Sequence, residues 1–266
     1  MPKAKDRSGA GDPGRTLELL WREPGHGRAG RGPKPGLSVD RVVEAAIELA
    51  DEDGLDALTM RRLADRLGVN PMTLYTYVPG KAELLDLMLD ELYRRMDRTE
   101  HPAGTPWRTR LTAVAEENRS LFRRHPWAAA LPTTRPPLGP GLMAKYEHEL
   151  RAFEGLALDD VERDAALTHL LSFVRATARG AEETRTARGD SGVSDEEWWA
   201  ANAPLLQRVL DPARYPLATR VGTAAGSAHG AAYDPDHAYR FGLRLVLDGL
   251  AARAEPLAPD TATPPA

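Results

Sequence analysis

Residues 67–81 read LGVNPMTLYTYVPGK. Thr73, Tyr75, Thr76 and Tyr77 place four hydroxyl groups within five residues, with Arg61 and Arg62 before them and Lys81 after. These types suit recognition rather than bond making. Hydroxyls exchange hydrogen bonds with phosphates and base edges, a guanidinium fork fits O6 and N7 of guanine, and an ammonium meets a phosphate. Evidence for other chemistry is thin. The seven histidines show no H-x-x-x-H or H-E-x-x-H spacing, and no G-x-S-x-G or P-loop occurs. Cysteine is absent, which excludes disulfides and thiolate metal sites. "YEHELRAFE" gathers carboxylates around His148 but reads as a solvated helix face. No catalytic residue, metal or cofactor is expected, so the chain is read as a non-enzyme.

The elements that position these groups are helical. Ser38 is a candidate N-cap, and Val39, Val42, Val43, Ala46, Ile47 and Ala50 recur at helical spacing up to the stop at Gly54. Thr59 caps a second short helix that carries Leu63, Ala64 and Leu67 inward. Gly68 turns the chain, and Pro71 suits the first position of a third helix, 71–77. A fourth begins at Lys81 and buries Leu84, Leu85, Met88, Leu92 and Met96. Three short helices with a glycine turn before the third form a helix-turn-helix, whose last helix enters the DNA major groove. On that placement Leu74 faces the core, and Thr73, Tyr75, Thr76 and Tyr77 face nucleic acid. Met72 would touch a thymine methyl, the N–H groups at the Pro71 end a phosphate, and Lys81 another. For any single residue, ordinary helix surface is a competing account; the joint spacing favours recognition.

The same residues carry a resemblance. "LTMRRLADRLGVNPMTLYTYVPGKAELLDLML" is similar to the DNA-binding segment of the TetR (tetracycline-repressor-like) family. Leu58, Thr59, Arg61, Leu63, Ala64, Leu67, Gly68, Val69, Thr73, Leu74, Tyr75, Val78, Lys81, Leu84 and Leu85 stand in the family's pattern. "FGLRLVLDGLAAR", 241–253, resembles that family's last helix more faintly. The resemblance implies a dimeric regulator, usually a repressor, with a helical C-terminal domain that binds a small molecule and spreads two DNA-reading heads. By motif position Arg61, Met72, Thr73, Thr76 and Tyr77 would meet bases or phosphates, Lys81 a phosphate, and Tyr75 the backbone. Pro71 and Met72 depart from tetracycline repressor, which implies a different operator. Asp97 stands where the namesake has a histidine, which speaks against tetracycline itself.

The rest of the chain reads as all-α, with helices near 106–124, 140–154, 159–187, 194–210 and 235–253 and no period-2 strand. "LPTTRPPLGPG" and "YPLATRVGTAAGSAHGAAYDP" read as loops. Four divisions follow: a flexible basic arm 1–36, a helix-turn-helix domain with connecting helix 37–97, a ligand-binding and dimerisation domain 98–254, and a disordered tail 255–266. The arm holds eight cations against four anions while the chain is net −4. Within the arm, "TLELLW" is a transient helix or docking strip. Arg28, Arg31 and Lys34 are either a minor-groove reader or a loose basic linker. For a ligand, the stripe His169, Phe173 and Thr177 faces Asn118, Phe122 and Tyr146, although each has a plain packing account. Ala238, Gly242, Leu245 and Gly249 are the expected seam of a homodimer reading a palindromic operator, with packing inside one subunit as the alternative. No stretch of about 18 apolar residues exists, so no membrane span is expected, and the location is read as cytoplasmic. A helical enzyme or carrier, and a regulator switched by a protein partner, stand as competing functions.

Overall fold

The computed structural model describes residues 8–23, 37–131 and 135–254. Among them are twelve α-helices and no strand. The expected tail 255–266, and Arg28, Arg31 and Lys34 of the arm, lie outside the described residues.

Within the arm, Pro13–Leu20 is a helix, α1, capped by the Asp12 side chain. "TLELLW" is therefore mostly helix, and Leu20 is buried against the head. The head follows as α2 (Val39–Asp53), α3 (Met60–Leu67) and α4 (Pro71–Leu74). Ser38 and Thr59 cap α2 and α3 by accepting from Arg41 N and Arg62 N, both at 3.2 Å. Gly68 closes α3 at φ +67, a left-handed conformation that glycine adopts without Cβ strain.

Then come α5 (Lys81–Arg95), α6 (Trp107–Arg124), α7 (Pro126–Ala130), α8 (Pro140–Arg151), α9 (Asp160–Ser191), α10 (Asp195–Val209), α11 (Pro216–His229) and α12 (Pro235–Ala254). Residues 216–229, expected as a loop, are a helix. Their alanines and leucine favour helix. Gly226 admits the Trp199 ring where a Cβ would come within 2.6 Å of it, and Gly230 supplies the left-handed stop.

Two cores result. The first joins Val42, Ala46, Leu63, Leu74 and Val78 of the head to Leu84, Leu85 and Met88 of α5, and runs on to Leu121 and Trp127. The second joins Leu111, Phe153, Leu167, Leu170, Tyr239 and Leu243. Phe122 packs against both. Full burial of each leucine contributes about 1.5–3 kcal/mol. The α5 helix is buried on more than its apolar face: Glu83, Asp86 and Asp90 are buried too. Each carboxylate is consumed by backbone N–H groups of another segment. Glu83 accepts from Asp12 N (3.3 Å), Asp86 from Gly9 N (3.0 Å), and Asp90 from Gly141 N (3.1 Å) and Leu142 N (2.8 Å). The segments that reach them are glycine-punctuated, Ser8-Gly9-Ala10-Gly11 and Gly139-Pro140-Gly141. A Cβ at Gly11 or Gly139 would lie 2.5 or 2.4 Å from the acid it meets.

Candidate functional site: a DNA-reading face and a ligand pocket

The face formed by α3 and α4 presents the expected side chains in part. Met72 is 71% exposed and Tyr75 43%; Thr73, Thr76 and Arg61 are exposed as well. Leu74 and Val78 are fully buried and anchor this turn to the head. The regular helix ends at Leu74, and Tyr75, Thr76 and Tyr77 form a turn closed by Tyr77 N and Val78 N donating to Leu74 O, both at 2.9 Å. Thr76 Oγ1 donates to Thr73 O at 2.7 Å, which leaves its lone pairs for an incoming donor. Tyr77 is half-buried against the head core, so only part of its ring is available.

One expectation is overturned, and two others acquire partners within the chain. First, α4 offers no free N–H groups at Pro71. Pro71 has none, Met72 N donates to Asn70 Oδ1 (2.9 Å), and Thr73 N donates to Asn70 O (2.8 Å). Second, Arg62 is held by Asp53 at 2.7 Å, leaving Arg61 as the freer guanidinium. The pair is exposed and worth about 0–1 kcal/mol, so it gives way to a stronger anion. Third, Lys81 Nζ donates to Leu58 O at 2.7 Å and ties α5 to the loop before α3. An ammonium keeps two further donors for phosphate.

The ligand candidate is a cavity of about 370 Å³ between α5, α6, α8, α9 and the segment before α8. Phe122, Leu138, Leu142, Met143, Leu167 and Leu171 give it apolar walls. Its polar groups are Asn118 and Lys145 on the floor, Tyr146 and Asp164 at the rim, and Arg175. This mix is what a small-molecule site needs. A larger cleft of about 820 Å³ lies beyond α8, but its walls alternate Arg98, Arg110 and Arg151 with Glu100, Glu147 and Glu154. Arg110 is engaged with the Thr105 and Ala152 carbonyls, Arg151 with Glu147, and Arg98 through one terminal nitrogen with Tyr93 O (2.7 Å).

Of the six expected pocket residues, Asn118, Phe122 and Tyr146 line the cavity and His169, Phe173 and Thr177 do not. The reason is helical phase. Positions 167, 171 and 175 of α9 face the cavity, and 169 and 173 lie about 200° away from 171 and 175 at 100° per residue. His169 is exposed. Phe173 stacks on Tyr239 (5.8 Å between centroids), and Thr177 Oγ1 donates to Val174 O at 2.8 Å.

The residues that sequence reading missed are on α8. Lys145 and Glu149, four apart, are 5% and 1% exposed. Lys145 Nζ meets the two Glu149 oxygens at 2.6 and 2.8 Å, and Asn118 Nδ2 donates to Glu149 Oε1 at 2.6 Å. Lys145 also lies 5.3 Å from the centre of the Tyr93 ring. The helix face read as solvated thus holds a buried ion pair. Beside Glu149, His148 meets Glu117 at 2.9 Å. Burial alone would raise the Glu117 carboxyl, but His148 and the Thr99 amide outweigh it and hold it low. Burial pushes the Tyr93 hydroxyl up to about 12, so that phenol stays neutral. The Tyr146 hydroxyl is raised because it donates to Asp164 at 2.7 Å. The sequence signal for the pair was the i, i+4 spacing of Lys145 and Glu149; its burial depends on partners elsewhere in the chain.

On α12, Leu245 (57% exposed) and Phe241 (50%) form an apolar patch, and Gly249 faces open space. Ala238 is half-buried. Gly242 belongs to the other face: a Cβ there would lie 2.4 Å from the Phe173 ring of the same chain. Its small size serves packing of α12 on α9 within one subunit.

Comparison with known proteins agrees with this arrangement. Residues 42–88 match the family described as bacterial regulatory proteins, tetR family, and residues 100–254 match the tetracyclin repressor-like C-terminal domain. The chain is 43% identical over 245 residues to HTH-type transcriptional repressor DrrR1 of Streptomyces coeruleorubidus, covering 92% of this chain and 88% of that one. It is similar in structure to the TetR family protein ActR of Streptomyces coelicolor in complex with actinorhodin: TM-score 0.71, 28% identity, 85% of this chain and 100% of ActR. Apo ActR gives a TM-score of 0.67 at 27% identity, over 84% and 98%. With the head and the helical body both matched, the chain belongs to the TetR family of helix-turn-helix, DNA-binding transcriptional regulators and not to a family of enzymes.

Proposed function

We propose that this regulator is a cytoplasmic repressor that binds a palindromic operator as a homodimer and is released by a small molecule in the α5–α9 cavity. The observation that carries this reading is the double membership of α5. Leu84 and Met88 belong to the head core, while Tyr93, farther along the same helix, lines the cavity. A ligand that displaces Tyr93 moves a rigid element rooted in the head. The structural neighbour ActR binds actinorhodin, which makes that compound the first to try. The cavity supports a ligand with an apolar body and one acceptor or anionic oxygen directed at Lys145.

Two heads about 34–36 Å apart read a palindrome. The apolar patch of Phe241 and Leu245 supports α12 as the seam. Trp198, Leu205, Leu206 and Val209 of α10 and Leu217 and Val221 of α11 are also largely exposed, which a second copy would cover. At the head, Arg61, Met72, Thr73, Tyr75 and Thr76 are the proposed contacts, with Lys81, Arg62 and Tyr77 supporting.

The test is selection of sites from random duplex DNA, with a salt titration of the winner and release by added compounds. A palindrome bound with a steep salt slope and released by a cavity ligand is the expected result. A non-palindromic site bound by a monomer would overturn the homodimer reading.

A further inference from the structure

Residues 8–23 touch three separate parts of the molecule. At its start, Ser8 Oγ donates to Asp86 Oδ1 at 2.5 Å, and Gly9 N and Asp12 N reach Asp86 and Glu83, all on α5. At its end, the Trp21 indole Nε1 donates to Leu138 O at 2.8 Å. The next residue, Arg22, pairs with Asp40 in the first turn of α2. Between these ends Leu20 is buried in the head core.

Leu138 and Pro136 matter because each has two sides. One side lines the ligand cavity, and the other lines a small apolar cleft of about 160 Å³ closed by Leu17 and Leu20 of α1. The outer wall of the cavity is therefore held from outside by α1. The two pins are unlike in kind. Trp21 is half exposed and holds through its indole N–H, whereas Ser8 and Asp86 are buried.

We propose that residues 8–23 are a strut coupling the cavity wall at 136–138 to α5 and α2, with Trp21 and Ser8 as its positioning residues. A ligand that moves Leu138 pulls on Trp21, and α1 carries the displacement to Asp40 in the head and to Asp86 on α5. This route is separate from the direct one along α5 through Tyr93. By linkage it works in both directions: operator held by the heads must alter the cavity wall. The operator half rests on the reading proposed above; the mechanical half does not.

The experiment is amide hydrogen exchange on the full chain, comparing wild type with Ser8→Ala and Trp21→Phe. Without DNA, Ser8→Ala removes the Asp86 pin beside Gly9, which also packs on Arg135, so the end of the strut remote from it is the Arg22–Asp40 contact on α2. The strut requires faster exchange in that variant, by about fivefold or more, at Val42, whose amide donates to Ser38 O at the start of α2. It equally requires Trp21→Phe to quicken Asp12, whose amide donates to Glu83. Effects confined to each variant's own neighbours, with helix content unchanged, would overturn the strut. With a selected operator duplex bound, exchange at Leu138 and Gly139 should slow in wild type and slow less in both variants. Equal slowing in all three proteins would place the coupling on α5 alone and overturn the proposal. Failure of any duplex to bind would count against the operator reading, while the DNA-free comparison still decides the strut.

Discussion

Gly141 lies so close to Asp90 that a Cβ on the glycine would come within 2.0 Å of the Asp90 carbonyl oxygen. The Asp90 carboxylate also accepts from the Gly141 and Leu142 amides, so α8 begins directly on the backbone of α5. Gly141→Ala must push the two helices apart. Overpacking of this kind costs about 1–3 kcal/mol, and here the obstacle is backbone, which cannot rotate away. A melting temperature lowered by several degrees is expected, with weakened ligand binding because Leu142 lines the cavity. An unchanged melting temperature would contradict the close approach.

The Lys145–Glu149 pair gives a second prediction. Lys145→Met leaves the buried Glu149 carboxylate with the Asn118 amide but without its ammonium, and such an orphaned charge costs about 3–5 kcal/mol. Replacing both, as in Lys145→Met with Glu149→Leu, should restore most of the stability. Denaturant unfolding of the two singles and the double forms a complete cycle. Ligand affinity should stay low in the double variant, which separates recognition from stability.

A pH series should separate two groups of buried acids. Burial raises the Asp86 and Asp90 carboxyls above the usual 3.8 despite their hydrogen bonds. A raised carboxyl favours the folded state at pH below the unfolded value and loses that contribution as pH climbs through the folded value. Glu117 is held below 4.5, so its contribution is present above 4.5 and is lost as pH falls through its lowered value. As pH is lowered from neutrality toward the ordinary carboxyl value of 3.8, wild type should therefore gain melting temperature relative to Asp86→Asn and Asp90→Asn. Below pH 4.5, wild type should lose it relative to Glu117→Gln. Parallel pH profiles for wild type and all three variants would show that these environments are wrong.

The two arginines of α3 should not be equivalent. Arg61 is exposed, whereas Arg62 is drawn back to Asp53. Arg61→Ala should weaken operator binding by about 1–3 kcal/mol if it reads a base, or lower the salt slope by about one if it holds a phosphate. Arg62→Ala should do less. A larger loss for Arg62 would mean that it leaves Asp53 when DNA binds.

Leu245→Glu places a charge in the exposed α12 patch. Subunit mass measured by light scattering should fall to that of a monomer, and operator affinity should collapse with it. A dimer that persists would move the seam to α10 and α11.

The head was legible because its signals are local. Ser38, Thr59, Gly68 and Pro71 each announce a boundary, and Leu63, Ala64 and Leu74 are spaced for one core. What was not legible depends on partners far away in sequence. Asp86 and Asp90 look like the wet side of α5 until Gly9, Gly141 and Leu142 arrive to donate to them. Glu149 looks solvated until Asn118 comes across from α6. The stripe of His169, Phe173 and Thr177 points away from the cavity, with Phe173 packed on Tyr239 and Gly242 of α12 and His169 in solvent, and periodicity alone does not say which neighbour a face will meet. Residues 216–229 were hidden by Gly222 and Gly226, because a glycine that admits Trp199 looks the same in sequence as one that ends a helix.

The α5 helix has a consequence for engineering hybrid repressors. Its acids and leucines are shared among the head, α1 and the start of α8, so a cut at residue 97 would divide those contacts. A chimera cut there would graft a foreign helix beneath Gly9 and Gly141, whose backbones fit Asp86 and Asp90. Exchange of DNA specificity between relatives should succeed when the replaced block ends before Glu83, and fail when α5 travels without 8–12 and 139–142. The transplantable unit is the reading surface with its small core, and the rod beneath it stays with the sensor.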